Sequence, residues 1–116
     1  MDRRIQVIIA LMENRVSVRL DVAELAREVN LSPSRLRHLF KRETGNTPAQ
    51  HLKNLRMQKA EWLLRTTFLS VKEVINRIGM TNSSHFVREF KKIYAAAPTK
   101  YRAALAQEPT LRTQKF

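Results

Sequence analysis

Two short runs hold most of the side chains that could bind a ligand. In "SPSRLRHLFK", Ser32 to Lys41, the hydroxyl of Ser34, the guanidinium groups of Arg35 and Arg37, the imidazole of His38 and the ammonium of Lys41 alternate with Leu36, Leu39 and Phe40. In "SSHFVREFKK", Ser83 to Lys92, the residues Ser83, Ser84, His85, Arg88, Lys91 and Lys92 alternate with Phe86, Val87 and Phe90. A guanidinium fork chelates paired acceptors, an ammonium group meets single anions, and hydroxyl or imidazole groups donate or accept as needed. No nucleophile elbow or glycine-rich phosphate loop accompanies these serines and histidines. His38, His51 and His85 lack metal-ligand spacing, and no cysteine supplements them. The chemistry points to recognition of an acceptor-rich, anionic surface, with neither catalysis nor a cofactor.

The totals favour such a partner. Twenty-two Lys and Arg against ten Asp and Glu leave a formal charge of +12 in 116 residues. A balance that basic suits a polyanion, with nucleic acid first and an anionic membrane surface second. No apolar run approaches the roughly 20 residues that span a bilayer, and the short greasy stretch near the start has no small-residue cleavage site, so a cytoplasmic location is expected. With no cysteine, disulfides are excluded and the fold must rest on packing. Two glycines and four prolines argue against a β-rich chain with many tight turns.

Helical spacing then positions the polar groups. A first helix is expected over about 2–14, with Ile5, Ile8, Ile9 and Met12 on one stripe, and a second starts at the cap Asp21 and runs through Val22, Leu25, Ala26 and Val29 to Asn30. Ser32 caps a third helix with Pro33 in its first turn, and Gly45 closes it. Thr47 and Pro48 open a long helix to about Thr66, carrying Leu52, Leu55, Ala60, Leu63 and Leu64. Ser70 begins a fifth helix with Val71, Val74, Ile75 and Ile78, ended by Gly79. Asn82 caps a sixth with Phe86, Phe90 and Ile93, and Pro98 opens a short seventh with Tyr101 and Leu105. Residues 107–116 read as a flexible tail.

The chain contains a repeat. Val22, Glu24, Leu25, Val29 and Asn30 match Val71, Glu73, Val74, Ile78 and Gly79 at a shift of 49. After one inserted residue the shift is 50, and Ser34, Leu36, Phe40, Lys41 and Pro48 match Ser84, Phe86, Phe90, Lys91 and Pro98. Each copy reads as a short apolar helix, a turn, and a second capped helix with a basic exterior. That is the pattern of a helix-turn-helix whose second member enters the major groove of DNA. One copy alone would suit an αα-hairpin in an ordinary bundle; two copies in so basic a chain favour the helix-turn-helix.

From about Asp21 to Arg102 the chain resembles the DNA-binding domain of the AraC/XylS family of bacterial transcription regulators. The resemblance is carried by "LSPSRLRHLFKRETGNTP", by "LRMQKAEWLL" of the long helix, and by the run from "VKEVINRIGM" to "SSHFVREFKKIYAAAPTKYR". It implies an all-α fold in which two helix-turn-helix subdomains, 1–47 and 67–106, are joined by a linker helix, 48–66, and read one face of the duplex. Three positions depart from the family pattern. Ala95 stands where glycine is usual, which leaves the exact turn before Pro98 open, and Met80 where phenylalanine is usual and Ile75 where alanine is common, which suggest a repacked second subdomain. Activators of the family also touch RNA polymerase, a further partner that the resemblance implies.

On this reading Ser34, Arg35, Arg37 and His38 on helix 33–44, and Ser83, Ser84, His85, Val87 and Arg88 on helix 82–94, are the candidates for base contact. Arg37 suits guanine O6 and N7, Arg88 holds the position of His38 in the second copy, and Val87 either meets a thymine methyl or packs half-buried. Lys41, Lys91 and Lys92, with the helix starts near Thr47 and Ala97, are the candidates for phosphate contact. Nineteen helical residues, 48 to 66 inclusive, extend roughly 28 Å, against the roughly 34 Å between successive major-groove faces, a mismatch that DNA bending would reconcile. One chain supplies both heads, so a monomer suffices.

Two further expectations concern residues outside the reading helices. Trp62 is expected to pack in or at the core, and Arg56 to pair with an acid such as Glu61 or Glu24. With 116 residues there is no room for a separate effector-binding domain of ordinary size, so the chain is expected to be either a fragment or a stand-alone regulator. The rival to DNA binding is a basic helical bundle that docks an acidic protein or anionic lipid.

Overall fold

The computed structural model describes residues 1–106, and the expected tail lies outside the described residues. Among the described residues seven helices follow one another: α1 (Arg3–Asn14), α2 (Val22–Glu28), α3 (Pro33–Thr44), α4 (Pro48–Thr66), α5 (Val71–Arg77), α6 (Ser83–Tyr94) and α7 (Pro98–Ala106). The described residues form no strand. The fold is all-α. Packing divides the described residues into two compact units, Met1–Arg56 and 57–106, so the boundary falls inside α4 and each half of that helix belongs to a different core.

In the first unit, the 3.6-residue period sends Ile5, Ile8 and Met12 of α1, Leu25 and Ala26 of α2, and Leu36, Leu39 and Phe40 of α3 into one core, flanked by Leu52 and Leu55 of α4. Asp2 lies just outside α1 as its N-cap, where its side chain accepts from Arg4 N–H at 2.8 Å. The Asp2 main-chain N–H donates to Glu43 Oε1, tying the start of α1 to the end of α3. α2 ends in a turn at Asn30, φ +57°, and the N–H of Leu31 returns to the Ala26 carbonyl at 2.9 Å. α3 ends at Gly45, φ +82°, whose N–H returns to the Lys41 carbonyl. Both positions need the left-handed conformation, which glycine and asparagine reach at least cost.

The second unit repeats this plan. Met57, Ala60, Leu63 and Leu64 of α4 meet Val74 and Ile75 of α5, Ile78 just beyond it, and Phe86 and Phe90 of α6. Complete burial of a phenylalanine or leucine side chain contributes roughly 1.5–3 kcal/mol, so this cluster dominates the unit. Ser70 and Glu73 form a reciprocal capping box at the start of α5, with bonds of 3.1 and 2.9 Å. Gly79, φ +80°, takes the part of Asn30, and the N–H of Met80 returns to the Ile75 carbonyl at 3.1 Å. Ala95 takes the part of Gly45: at φ +65° it adopts the left-handed conformation despite its Cβ, and its N–H returns to the Lys91 carbonyl at 2.9 Å. The turn is kept, and alanine bears the strain.

Three expectations are corrected. Trp62 is 53% exposed, because the buried side of α4 here runs through Met57, Ala60 and Leu64, and a residue two places after Ala60 faces away from it. Ile93 is 47% exposed and does not continue the apolar stripe of α6. Among the described residues Arg56 meets no carboxylate. Its Nε donates to the Val16 carbonyl at 3.0 Å and its Nη2 to the Val18 carbonyl at 3.2 Å, supplying donors to main-chain acceptors in the segment that leads into α2.

Candidate nucleic-acid interface

In the first unit the apolar stripe of α3 is buried, and Ser34, Arg35, Arg37, His38 and Lys41 are all exposed on the remaining surface of the same helix. Their backbone is held by Ser32, whose Oγ accepts from the N–H of Arg35 at 3.1 Å and satisfies one of the donors that a helix start leaves open. Burial of Leu36, Leu39 and Phe40 thus orients five polar groups toward solvent on a helix that cannot roll. Arg42 is also exposed, next to Lys41, and was missing from the sequence-based candidates. Its signal was available: a shift of 50 matches it to Lys92.

In the second unit Asn82 acts on α6 as Ser32 acts on α3, with Oδ1 accepting from the N–H of His85 at 2.9 Å. Ser83, Ser84, Arg88, Lys91 and Lys92 are exposed, whereas His85 and Val87 are half-buried. Val87 packs against the core of its unit. Lys92 Nζ lies 3.8 Å from Glu89 Oε1 one turn before it, so part of its charge is answered within the helix.

The two expected helix-start sites differ from simple open donors. Thr47 caps α4 by accepting from the N–H of Gln50 at 3.1 Å, and its own N–H donates to Gln50 Oε1 at 2.9 Å. That reciprocal pair engages Thr47 internally. Ala97 is half-buried and its carbonyl accepts from the N–H of Tyr101 at 2.8 Å, closing the first turn of α7.

A second arginine clamp, which sequence reasoning missed, lies on α7. Arg102 donates from Nε to the Leu64 carbonyl at 3.1 Å, from Nη1 to that of Leu69 at 2.5 Å and from Nη2 to that of Thr67 at 3.4 Å. In each unit, then, an arginine on the helix after the reading helix grips main-chain carbonyls of the segment that leads into the preceding, supporting helix. Arg56 and Arg102 are half-buried, and these bonds use them as structural forks although both count toward the +12 charge.

Among the described residues no group of three or more His, Asp or Glu side chains could hold a metal ion, and no helix is long and apolar enough to cross a membrane. A family model described as a helix-turn-helix domain matches residues 25–104. The chain is 32% identical over 100 residues to the HTH-type transcriptional activator RhaR of Mannheimia succiniciproducens, covering 86% of this chain and 36% of that protein. It is 35% identical over 88 residues to the arabinose operon regulatory protein of Escherichia coli, covering 76% of this chain and 30% of that protein.

The chain belongs to the AraC-type helix-turn-helix family.

The AraC-type fold is matched over nearly the whole chain. An AraC-type transcriptional regulator from Chromobacterium violaceum superposes with a TM-score of 0.83 at 27% identity, covering 90% of this chain and 94% of that one. The DNA-binding domain of AdpA, solved in complex with a target DNA, gives 0.84 at 29% identity, covering 91% and 96%. The chain spans about a third of the length of the curated AraC-type relatives it matches.

Proposed function

We propose that this chain is a sequence-specific double-stranded DNA-binding module that regulates transcription, with α3 and α6 as reading helices that each enter a major groove. One observation carries the reading. On both helices an apolar stripe is buried while a cap at Ser32 or Asn82 fixes the start, and hydroxyl, guanidinium and ammonium groups stand outward in the same order. Residues near the N-terminus of such a helix lie deepest in the groove. Ser34, Arg35, Arg37 and His38 in the first head, and Ser84, His85 and Arg88 in the second, are the base-contact residues. Lys41, Arg42, Lys91 and Lys92 hold phosphates and set the register. The DNA-bound state of the AdpA domain, which shares this fold, supports the same reading.

One chain carries both heads, so it binds as a monomer, in the cytoplasm, where contact with RNA polymerase would couple binding to transcription. The test is selection of bound sites from random duplex oligonucleotides, repeated with Arg37→Ala and Arg88→Ala. The expected result is a defined site in which each variant loses preference in a different half. Equal binding to any duplex, to heparin and to anionic vesicles would instead favour a basic bundle that docks acidic proteins or lipid.

A further inference from the structure

Two aromatic side chains of the second unit stay outside its core. Trp62 of α4 is 53% exposed, and Phe68, in the segment between α4 and α5, is 106% exposed, as open to solvent as in an extended peptide. Four helical steps of about 1.5 Å and two Cα steps of about 3.8 Å keep the two backbone positions within about 14 Å of each other. Two large apolar rings at that separation mark a surface that is covered in use.

Phe68 is not exposed because its segment is loose. Arg102 holds the carbonyls on either side of it, those of Thr67 and Leu69, and the Thr67 hydroxyl donates to the Leu63 carbonyl at 2.6 Å and accepts from the Leu69 N–H at 3.3 Å. Leu69 turns onto the second core and Phe68 stands outside it. The fold does not require an aromatic ring there. At the shift of 49, Leu20 flanks the first core as Leu69 flanks the second, and an exposed Arg19 takes the place of Phe68.

The surroundings point to what covers the rings. From 58 to 73 the chain carries Lys59, Arg65 and Lys72 against Glu61 and Glu73, close to balance in a molecule of +12. Arg65 is bonded to Glu61, and Glu73 is closed into the capping box with Ser70. A polyanion finds little to hold here, whereas two copies of this basic chain can meet here without opposing their charges. The two rings are also self-complementary in shape. Phe68 stands clear of the surface and Trp62 lies half sunk in it, so a twofold axis between two copies sets the Phe68 ring of each on the Trp62 ring of the other.

We infer that Trp62 and Phe68 form a self-docking patch through which two copies of this chain pair. Two rings a side make a small interface, so the pairing is weak in dilute solution. One copy still supplies both heads for one DNA site, and pairing brings two such modules together. The inference goes beyond the proposed function and does not depend on it.

Salt separates this contact from DNA binding. Added sulfate screens the repulsion between two +12 chains and strengthens apolar burial, whereas salt weakens binding to a duplex. Sedimentation velocity without DNA, over a concentration series reaching about 1 mM, should show a dimer whose share rises with sulfate. Emission from Trp62, the one tryptophan of the chain, should move to shorter wavelength in step with it. Phe68→Ser should weaken the association about tenfold or more while unfolding at the parental temperature. Val7→Ser, which removes an exposed apolar side chain of the first unit, should pair as the parent does. A parent that stays monomeric throughout the series, a Phe68→Ser variant that pairs as tightly as the parent, or loss of the dimer in Val7→Ser would each overturn the inference. Failure of sequence-specific DNA binding is read separately, in the selection experiment.

Discussion

The hydroxyl of Tyr101 on α7 donates to Glu61 Oε2 on α4 at 2.7 Å, and the same carboxylate accepts from Arg65 Nε at 3.1 Å one turn along α4. The ring of Tyr101 stands edge-on to Phe90 of α6, with centroids 5.4 Å apart, and also meets Tyr94 at 5.5 Å. One side chain thus joins the last helix both to α4 and to the core face of the reading helix α6. Partial burial and the bond to Glu61 push the Tyr101 hydroxyl up to about 12, because both disfavour the phenolate.

The first prediction concerns pH. Tyr101 has a raised value in the folded state, so its contribution is fully present below the ordinary tyrosine value near 10 and is lost as pH rises through about 12. Melting temperature measured from pH 8 to 12 should fall above pH 10 in the parent and fall less in Tyr101→Phe. At neutral pH, Tyr101→Phe should cost about 1 kcal/mol, since it removes one hydrogen bond and keeps the aromatic contacts. A variant with the parental pH profile would show that the bond to Glu61 is unimportant.

The second prediction is paired, and its two halves have opposite sign. Ala95→Gly should stabilise the protein by about 0.5–1 kcal/mol, because a left-handed φ costs glycine nothing in sterics. Gly45→Ala should destabilise by about 1–2 kcal/mol through backbone strain alone, since a Cβ at position 45 would meet no atom within 4 Å. Denaturant titration of both variants checks this. Equal and opposite shifts would make the two turns equivalent, and a neutral Ala95→Gly would mean that the strain at Ala95 is relieved elsewhere.

Arg102 should be intolerant of charge-conserving replacement. Lysine keeps the charge but lacks the planar fork that serves the carbonyls of Leu64, Thr67 and Leu69 together. Arg102→Lys should therefore destabilise the second unit by about 2 kcal/mol, nearly as much as Arg102→Ala. Amide exchange would register this as faster opening across α5 and α6, with the first unit little changed. Full retention of protection in Arg102→Lys would make charge, not geometry, the relevant property.

The proposed phosphate contacts are best read through salt. Lys41→Ala and Lys91→Ala should each flatten the log–log dependence of DNA affinity on salt by about 0.9, and should leave base preferences alone. Arg56→Ala should leave that slope unchanged, because its guanidinium is bound to the Val16 and Val18 carbonyls. Gel-shift titrations over a range of salt give all three slopes. A slope change in Arg56→Ala equal to that of Lys41→Ala would place Arg56 on the phosphate backbone.

Local signals in the sequence were enough for the seven helices, their caps and the twofold repeat. Helix starts and stops depend on side chains within a turn of the boundary: Ser32, Ser70 and Asn82 bond to N–H groups three residues on, and Asn30, Gly45 and Gly79 supply the positive φ that the turns after α2, α3 and α5 need. The basic face of α3 was legible for the same reason, since a period of 3.6 separates Leu36, Leu39 and Phe40 from the charged residues between them. Only tertiary packing decided which way each helix rolls and which long side chains turn inward. Trp62 is apolar yet exposed, Arg56 and Arg102 are charged yet committed to main-chain carbonyls, and Val87 replaces Arg37 by entering a core. The partners of the two arginines lie some 30 to 40 residues away in the chain and those of Val87 lie across helix packing, and contacts of that kind have no local pattern to announce them.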